Sequence, residues 1–184
     1  MCIRDRSLTG VTAFGPLQGR QQLVVLVDDW IKPTDIPSRA DVLDGIVSRY
    51  VRSHAPTTIS SIKWWTGLPL RDIAPVLQRR GWQVDEAGWL WGDVEPSYVS
   101  ARSLYLLPPY DEFMLGYDDR NVSIPAGRER DIHNGYGVFT GSIVYGGRTI
   151  GTWSRPGGKV VTDLFSPVTD SLHARIRATA GRLP

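Results

Sequence analysis

Between residues 38 and 92 the apolar positions repeat with helical spacing three times. Ser38 is placed as an N-cap, its hydroxyl suited to take one of the free N–H groups of a helix start. After it Val42, Leu43, Ile46, Val47, Tyr50 and Val51 recur every three to four residues, one apolar stripe over three turns. His54-Ala55-Pro56 stops that helix, because the residue before a proline is driven out of helical geometry. Thr57 or Thr58 then caps a shorter helix carrying Ile59, Ile62 and Trp65, closed by Gly67. Beyond Leu68-Pro69, a third stripe holds Leu70, Ile73, Ala74 and Leu77, and Gly81 ends it. Pro75 interrupts it. A proline in a helix interior lacks an N–H and crowds the carbonyl four residues back, but is tolerated in the first turn. Asp72 is therefore the expected cap, leaving a helix of barely more than two turns. Trp82–Val84 and Trp89–Trp91 follow, with Asp85-Glu86-Ala87-Gly88 between them as a hairpin loop.

Helix, short helix, tight turn, helix and hairpin is the order of a winged helix-turn-helix. None of the three stripes can be buried alone, and together they make one core. Trp64, Trp65, Trp82, Trp89 and Trp91 are expected to fill it.

The flanks read differently. In residues 1–22, Gly10, Gly15, Pro16 and Gly19 are spaced like loop punctuation. Met1–Arg6 fits no pattern and resembles the leader that sequencing-adapter read-through leaves on assembled genes. Leu23–Val27 reads as a buried strand, and Pro33 and Pro37 mark a connection. Past residue 93, Ser103–Leu107 reads as a strand and Tyr110–Tyr117 as a short helical or irregular segment. Residues 120–136 read as loop. Val138–Tyr145, Arg148–Ser154 and Lys159–Phe165 are three strands joined at Gly146-Gly147 and Pro156-Gly157-Gly158. An amphipathic helix spans Thr169–Gly181, with Leu172 and Ile176 inward and Arg175, Arg177 and Arg182 outward. The expected fold is thus α+β: residues 1–37 as leader and connection, 38–92 as winged helix-turn-helix, and 93–184 as a small antiparallel β-rich domain with a terminal helix.

Composition narrows the chemistry. The chain has 184 residues, 41% hydrophobic and 22% charged, which excludes bulk disorder. No apolar run reaches the ~20 residues of a membrane span. A single cysteine, Cys2, excludes a disulfide framework and a cysteine-built zinc site, and fits a reducing, cytoplasmic setting. The net charge is only +2, yet bases are 18 Arg to 3 Lys. Arg carries the planar fork that suits phosphates and base edges, and is also what a GC-rich genome encodes. Sign is segregated along the chain. Residues 58–81 are basic (Lys63, Arg71, Arg79 and Arg80 against Asp72), residues 82–119 are strongly acidic, and residues 120–184 are basic again.

Four segments carry a family resemblance. They are Arg49-Tyr50-Val51-Arg52-Ser53-His54-Ala55-Pro56-Thr57-Thr58, Trp64-Trp65-Thr66-Gly67-Leu68-Pro69, Gly147-Arg148-Thr149-Ile150-Gly151-Thr152-Trp153, and, most specific, the acidic block Leu106-Leu107-Pro108-Pro109-Tyr110-Asp111-Glu112-Phe113-Met114-Leu115-Gly116-Tyr117-Asp118-Asp119-Arg120. In this order they resemble the C-terminal half of the bacterial winged-helix DNA-binding family that includes the AlkZ/YcaQ-type DNA glycosylases. The resemblance implies tandem winged-helix motifs on a DNA-binding scaffold. It also implies that catalysis rests on a Gln-x-Gln or Gln-x-Asp near the N-terminus of the whole protein. Gln18, Gln21 and Gln22 lack that spacing, so no catalytic residue is carried over and the motif is expected upstream.

The residues themselves point to double-stranded DNA as partner. In a helix-turn-helix the third helix enters the major groove while flanking bases hold phosphates. Arg71, Gln78, Arg79 and Arg80 are the candidates there, although Arg79 and Arg80 also suit the negative end of a helix dipole. Thr57, Thr58 and Lys63 stand by the second helix, whose N-terminus favours a phosphate. The wing loop with Asp85 and Glu86 would repel a DNA backbone, so the slim Gly146-Gly147 tip with Arg148, and Arg155 at the next turn, form a second candidate contact. Asp111, Glu112, Asp118 and Asp119 read either as an acid–base set or as a structural block of caps and pairs, with Asp119 pairing to Arg120. His54, His133 and His173 are too scattered for a metal site, and neither Gly-x-Ser-x-Gly nor a phosphate-binding Gly-rich loop is present. No cofactor is expected. Three functions stand: a DNA-binding winged-helix protein, part of a DNA glycosylase for alkylated or cross-linked bases, or, given the acidic middle, a protein-interaction module.

Overall fold

The computed structural model describes residues 3–183 apart from 33, 34, 36, 96, 134 and 136, so Met1, Cys2 and Pro33 lie outside the described residues. The chain divides into two units, Met1–Asp41 and Val42–Pro184.

The first unit holds α1 (Ile3–Leu8), a hairpin of β1 (Thr12–Gln18) and β2 (Gln21–Leu26), and α2 (Val27–Trp30). The strands pair antiparallel from Thr12↔Leu26 to Gln18↔Gln21, with a bulge between Phe14 and Leu17. This corrects two expectations. The stretch read as loop is a strand, because Gly15-Pro16 occupy the bulge, the place where a sheet admits proline. Gly19, at φ +63, opens the turn rather than ending an unstructured segment. The strand read as buried is β2, whose residues alternate between half-buried and exposed.

In the second unit the winged helix forms as its stripes predict. α3 (Arg39–His54) starts after Ser38, whose Oγ accepts the Asp41 N–H at 3.2 Å. α4 (Ile59–Thr66) is capped by Thr58, whose Oγ1 accepts the Ser61 N–H at 3.0 Å. Gly67 ends it at φ 69, a conformation only glycine takes freely. α5 runs Leu70–Arg80 from Pro69, not from Asp72, so Pro75 sits inside it. The bond it forfeits is to the Arg71 carbonyl, on the exposed side where water can replace it. Val47, Tyr50, Val51, Ile62, Ile73, Val76, Leu77 and Leu90 form the core, with Leu43, Ile59, Leu68 and Trp82 packed against it. The wing is minimal: Leu90 bridges Val84 on one side and Thr57 on the other. Trp64, Trp65 and Trp91 are 56%, 45% and 40% exposed, against expectation. Aliphatic side chains and Tyr50 already fill the core, and the Trp64 and Trp65 indoles sit outside it with their N–H groups donating to the Leu115 carbonyl and to Glu112.

After the wing come β3 (Leu104–Leu107), α6 (Glu112–Leu115), α7 (Glu129–Ile132), β4 (Gly141–Tyr145), β5 (Arg148–Ser154), a 3-10 turn (Pro156–Gly158), β6 (Val161–Leu164) and α8 (Asp170–Ala180). The expected three-strand meander is a four-stranded antiparallel sheet, β3-β4-β5-β6, since Leu104–Leu107 pairs with Ser142–Tyr145. α7 lies in the stretch read as loop. Adjacent residues point to opposite faces of a sheet. Ile143 and Leu106 accordingly pack under α8 with Ile176, while Val144 packs with Met114, Ile124 and Ile132 under α6 and α7. A bulge between Ile143 and Val144 breaks the simple alternation along β5, and Ile150 and Trp153 both join the α8 side. The sequence boundary at 92/93 falls inside this second unit.

Candidate nucleic-acid interface

α5 has one buried side and one open arc. Ile73, Val76 and Leu77 are in the core. The rest of the circumference, at 100° per residue, carries Arg71, Pro75 and Gln78 opposite the core with Ala74 and Arg79 at the edges of the arc, all exposed. Two cations and an amide thus flank the small surface of Ala74 and Pro75, a face that permits close approach to a groove.

Arg80 is not part of it. It follows Ile73 by seven residues, two helical turns, and so lies over the core side. Its Nε donates to Asp44 Oδ1 at 3.1 Å and its Nη2 to Asp44 Oδ2, a two-pronged bridge to α3. The hydrogen bond from Arg80 holds the Asp44 carboxyl below the usual carboxylate range. The same guanidinium covers the Trp82 ring at 5.8 Å. The seven-residue spacing from Ile73 is visible in the sequence and separates Arg80 from Arg79.

The start of α4 also departs from expectation. Thr57 is fully buried, its backbone exchanging hydrogen bonds with Leu90 and its hydroxyl donating to Tyr50 Oη at 3.3 Å. Thr58 is spent on the cap. The anion that this helix end favours is supplied by the protein itself: Ser60 and Ser61 both donate their hydroxyls to the Asp118 carboxylate. Burial raises the Asp118 pKa, but the two serine hydrogen bonds outweigh it and the carboxyl ends below its ordinary value. Thr57 and Thr58 are therefore removed from the candidate phosphate site, and Lys63 remains exposed on α4.

A lowered carboxylate contributes stability that is complete above its unfolded pKa, ~3.9, and disappears as pH falls through the folded value. Asp118→Asn should cost about 1 kcal/mol at neutral pH, less than the ~1.5–3 kcal/mol of hydrogen bonds to a charge because the site is open to water. The wild-type and variant denaturation curves should converge in acid. A gap unchanged from pH 7 to pH 2 would contradict this role.

The acidic block is a clasp, in which Asp111, Glu112 and Asp118 are held by hydrogen bonds within the fold. Asp111 Oδ1 caps α6 by accepting the Phe113 N–H at 2.9 Å. Glu112 Oε1 meets His54 Nε2 at 3.2 Å and accepts from Trp65 Nε1. Tyr50 Oη donates to the Gly116 carbonyl at 2.6 Å, and Tyr117 Oη to the His54 carbonyl at 3.0 Å. The Tyr50 and His54 rings stack at 4.3 Å. Burial pushes the Tyr50 phenol up to about 12. Arg120, expected to pair with Asp119, donates to the Met114 carbonyl and lies between the Trp64 and Phe139 rings at 5.6 and 5.8 Å. Asp93 pairs with Arg52 of α3 at 2.9 Å. In the wing, Asp85 Oδ1 accepts the Ala87 and Trp89 N–H groups at 3.0 and 2.8 Å and shapes the turn. The block thus reads as structure binding α3 and α4 to α6 and the segment that follows it.

The β4–β5 tip is a tight turn with Gly146 at φ 58 and Gly147 at φ 81. Gly146 serves an internal contact, because a Cβ there would lie 2.6 Å from the Ala101 carbonyl. Arg148 is exposed beside it, whereas Arg155 lies beyond the opposite end of β5, ~20 Å away at strand rise. The structure does not bring them together. Gln22 Nε2 donates to the Gly15 carbonyl at 2.6 Å inside the first hairpin, a structural use of that glutamine.

No helix among the described residues is long and apolar enough to cross a membrane. Comparison with known proteins places this fold. No curated protein matches the chain. Among solved structures it is similar to Streptomyces sahachiroi DNA glycosylase AlkZ, with a TM-score of 0.74 at 16% identity. The likeness covers 94% of this chain and 52% of that one, so the chain spans about half the length of its structural relative. At that identity the likeness speaks for the fold. The family described as DNA glycosylase AlkZ-like matches residues 6–184, a span that takes in the helix-turn-helix, the acidic clasp and the four-stranded sheet: this chain is a member of the AlkZ-like DNA glycosylase family.

Proposed function

We propose that this chain is the duplex-holding portion of a DNA glycosylase, gripping the phosphate backbone through the open arc of α5 while the clasp keeps that helix oriented. The observation that supports this reading is the division of α5 itself. Arg71, Gln78 and Arg79 face solvent on the open arc, and the remaining basic residue of the helix is diverted into a bridge with Asp44. Lys63 and Arg148 are secondary phosphate contacts in the same reading. The protein-interaction alternative rested on the acidic middle, and several of its acids are engaged inside the fold.

Paired single substitutions test the assignment. Arg79→Ala should weaken binding to a short duplex by about tenfold, the worth of one charge-assisted hydrogen bond of ~1.4 kcal/mol, with the melting temperature unchanged. Arg80→Ala should do the reverse, lowering the melting temperature while leaving affinity nearly intact. Equal losses of affinity from both would remove the distinction between the two arginines. In this reading the chain holds DNA rather than cutting the glycosidic bond. Accumulation of abasic sites in an alkylated duplex incubated with this chain alone would overturn that division of labour.

A further inference from the structure

A second basic surface lies far along the chain from α5, outside the helix-turn-helix. A cleft of about 440 Å³ opens between the 3-10 turn, β6 and the last turn of α8. Its walls carry Arg155, Lys159 and Arg177, with Thr162 between them and Val160 and Leu183 as apolar lining. No acidic residue lines it among the described residues. Asp163 is the adjacent strand residue, and alternation turns it to the opposite face from Thr162.

The three cations share one concavity and are all exposed, so an anion entering it meets charges of one sign. Arg155 is already oriented. Its Nε donates to the Gly158 carbonyl at 3.1 Å across the turn, which fixes the guanidinium plane while leaving its two terminal amino groups unused by that bond. The carbonyls at the end of α8 would oppose an anion if they were bare. Three of the last four are not: the Arg177, Thr179 and Ala180 carbonyls accept from the N–H groups of Gly181, Arg182 and Leu183.

We infer that this cleft is a phosphate site, in which Arg155 forks onto two oxygens, Lys159 and Arg177 balance the charge, and Thr162 donates a neutral hydrogen bond. The ligand is a phosphate group with free oxygens, either a diester of a nucleic-acid backbone or a free phosphate. The first source rests on the duplex-holding reading and adds to it a contact away from α5. The second does not depend on it.

The test uses the whole chain and the double variant Lys159→Ala/Arg177→Ala. Both side chains are exposed, so the variant should melt with the wild type, and a Lys159→Gln/Arg177→Gln pair serves if it does not. One arm follows duplex affinity against salt, and the other titrates inorganic phosphate calorimetrically. A slope of log affinity on log salt that is shallower by about one unit in the variant, with or without binding of free phosphate, supports the site with a nucleic-acid backbone as its ligand. Phosphate binding lost in the variant with the duplex slope unchanged supports the site with free phosphate as its ligand. No phosphate binding by the wild type together with an unchanged slope overturns the proposal. A wild type that binds no duplex at all refutes the α5 reading instead, and the phosphate arm then decides the cleft alone.

Discussion

Ile73→Ala is expected to cost about 3–4 kcal/mol, most of the stability that holds α5 in place. Ile73 has no exposed surface and packs among Val47, Val51, Ile62, Val76 and Leu90, where α3, α4, α5 and the wing meet. Removing its outer carbons loses their transfer free energy and leaves a hole that four converging elements cannot collapse to fill. Buried isoleucines in such settings lose ~2–5 kcal/mol. A domain of ordinary stability has only ~5–15 kcal/mol in total, so the variant should unfold at clearly lower denaturant. Chemical denaturation checks this, and a loss below about 1 kcal/mol would mean that the three stripes do not converge as described.

Gly116→Ala should be nearly as damaging, for a steric reason alone. Gly116 has right-handed helical dihedrals, φ −69 and ψ −20, so its backbone suits alanine. Its space does not. A Cβ there would overlap the His54 imidazole and come within 2.9 Å of the Glu112 carbonyl. The ring cannot simply swing away, being stacked on Tyr50 and held at Glu112. Overpacking of this kind costs ~1–3 kcal/mol, and loss of the Tyr50 hydrogen bond to the Gly116 carbonyl adds to it. The cause can be isolated. In a His54→Ala background the obstructing ring is gone, so the penalty of Gly116→Ala should shrink by about 1 kcal/mol or more. Strict additivity of the two substitutions would place the clash elsewhere.

The helices were legible because their periodicity and their punctuation agree. Ser38, Thr58, Gly67 and Gly81 cap where their side chains or their freedom of φ demand, and the stripes between them meet in one core. The same holds for the β4–β5 turn and for Thr169 at the start of α8. What escaped was pairing across distance. Nothing near Asp118 in sequence shows that its partners are Ser60 and Ser61, so the helix end it occupies looked vacant. Nothing near Glu112 shows that it meets His54 and Trp65, so the tryptophans read as core and the acids stayed open between an acid–base set and a structural block, of which the Asp111 cap is the legible part. The first hairpin was missed because Gly15-Pro16 looks like a break and is a bulge. Arg80 reads with Arg79 as a DNA candidate because its partner Asp44 is distant, although its two-turn spacing from Ile73 carries the signal that separates the two.

Salt dependence tests most directly whether the open arc of α5 lies on polyanion. Each phosphate neutralised releases counterions and adds roughly 0.9 to the slope of log affinity against log salt. Duplex affinity of the wild-type chain should fall steeply between low and moderate salt. Arg71→Ala/Arg79→Ala should make the slope shallower by about two units, and Arg80→Ala should leave it alone. A slope that stays the same when Arg71 and Arg79 are removed would take α5 off the DNA.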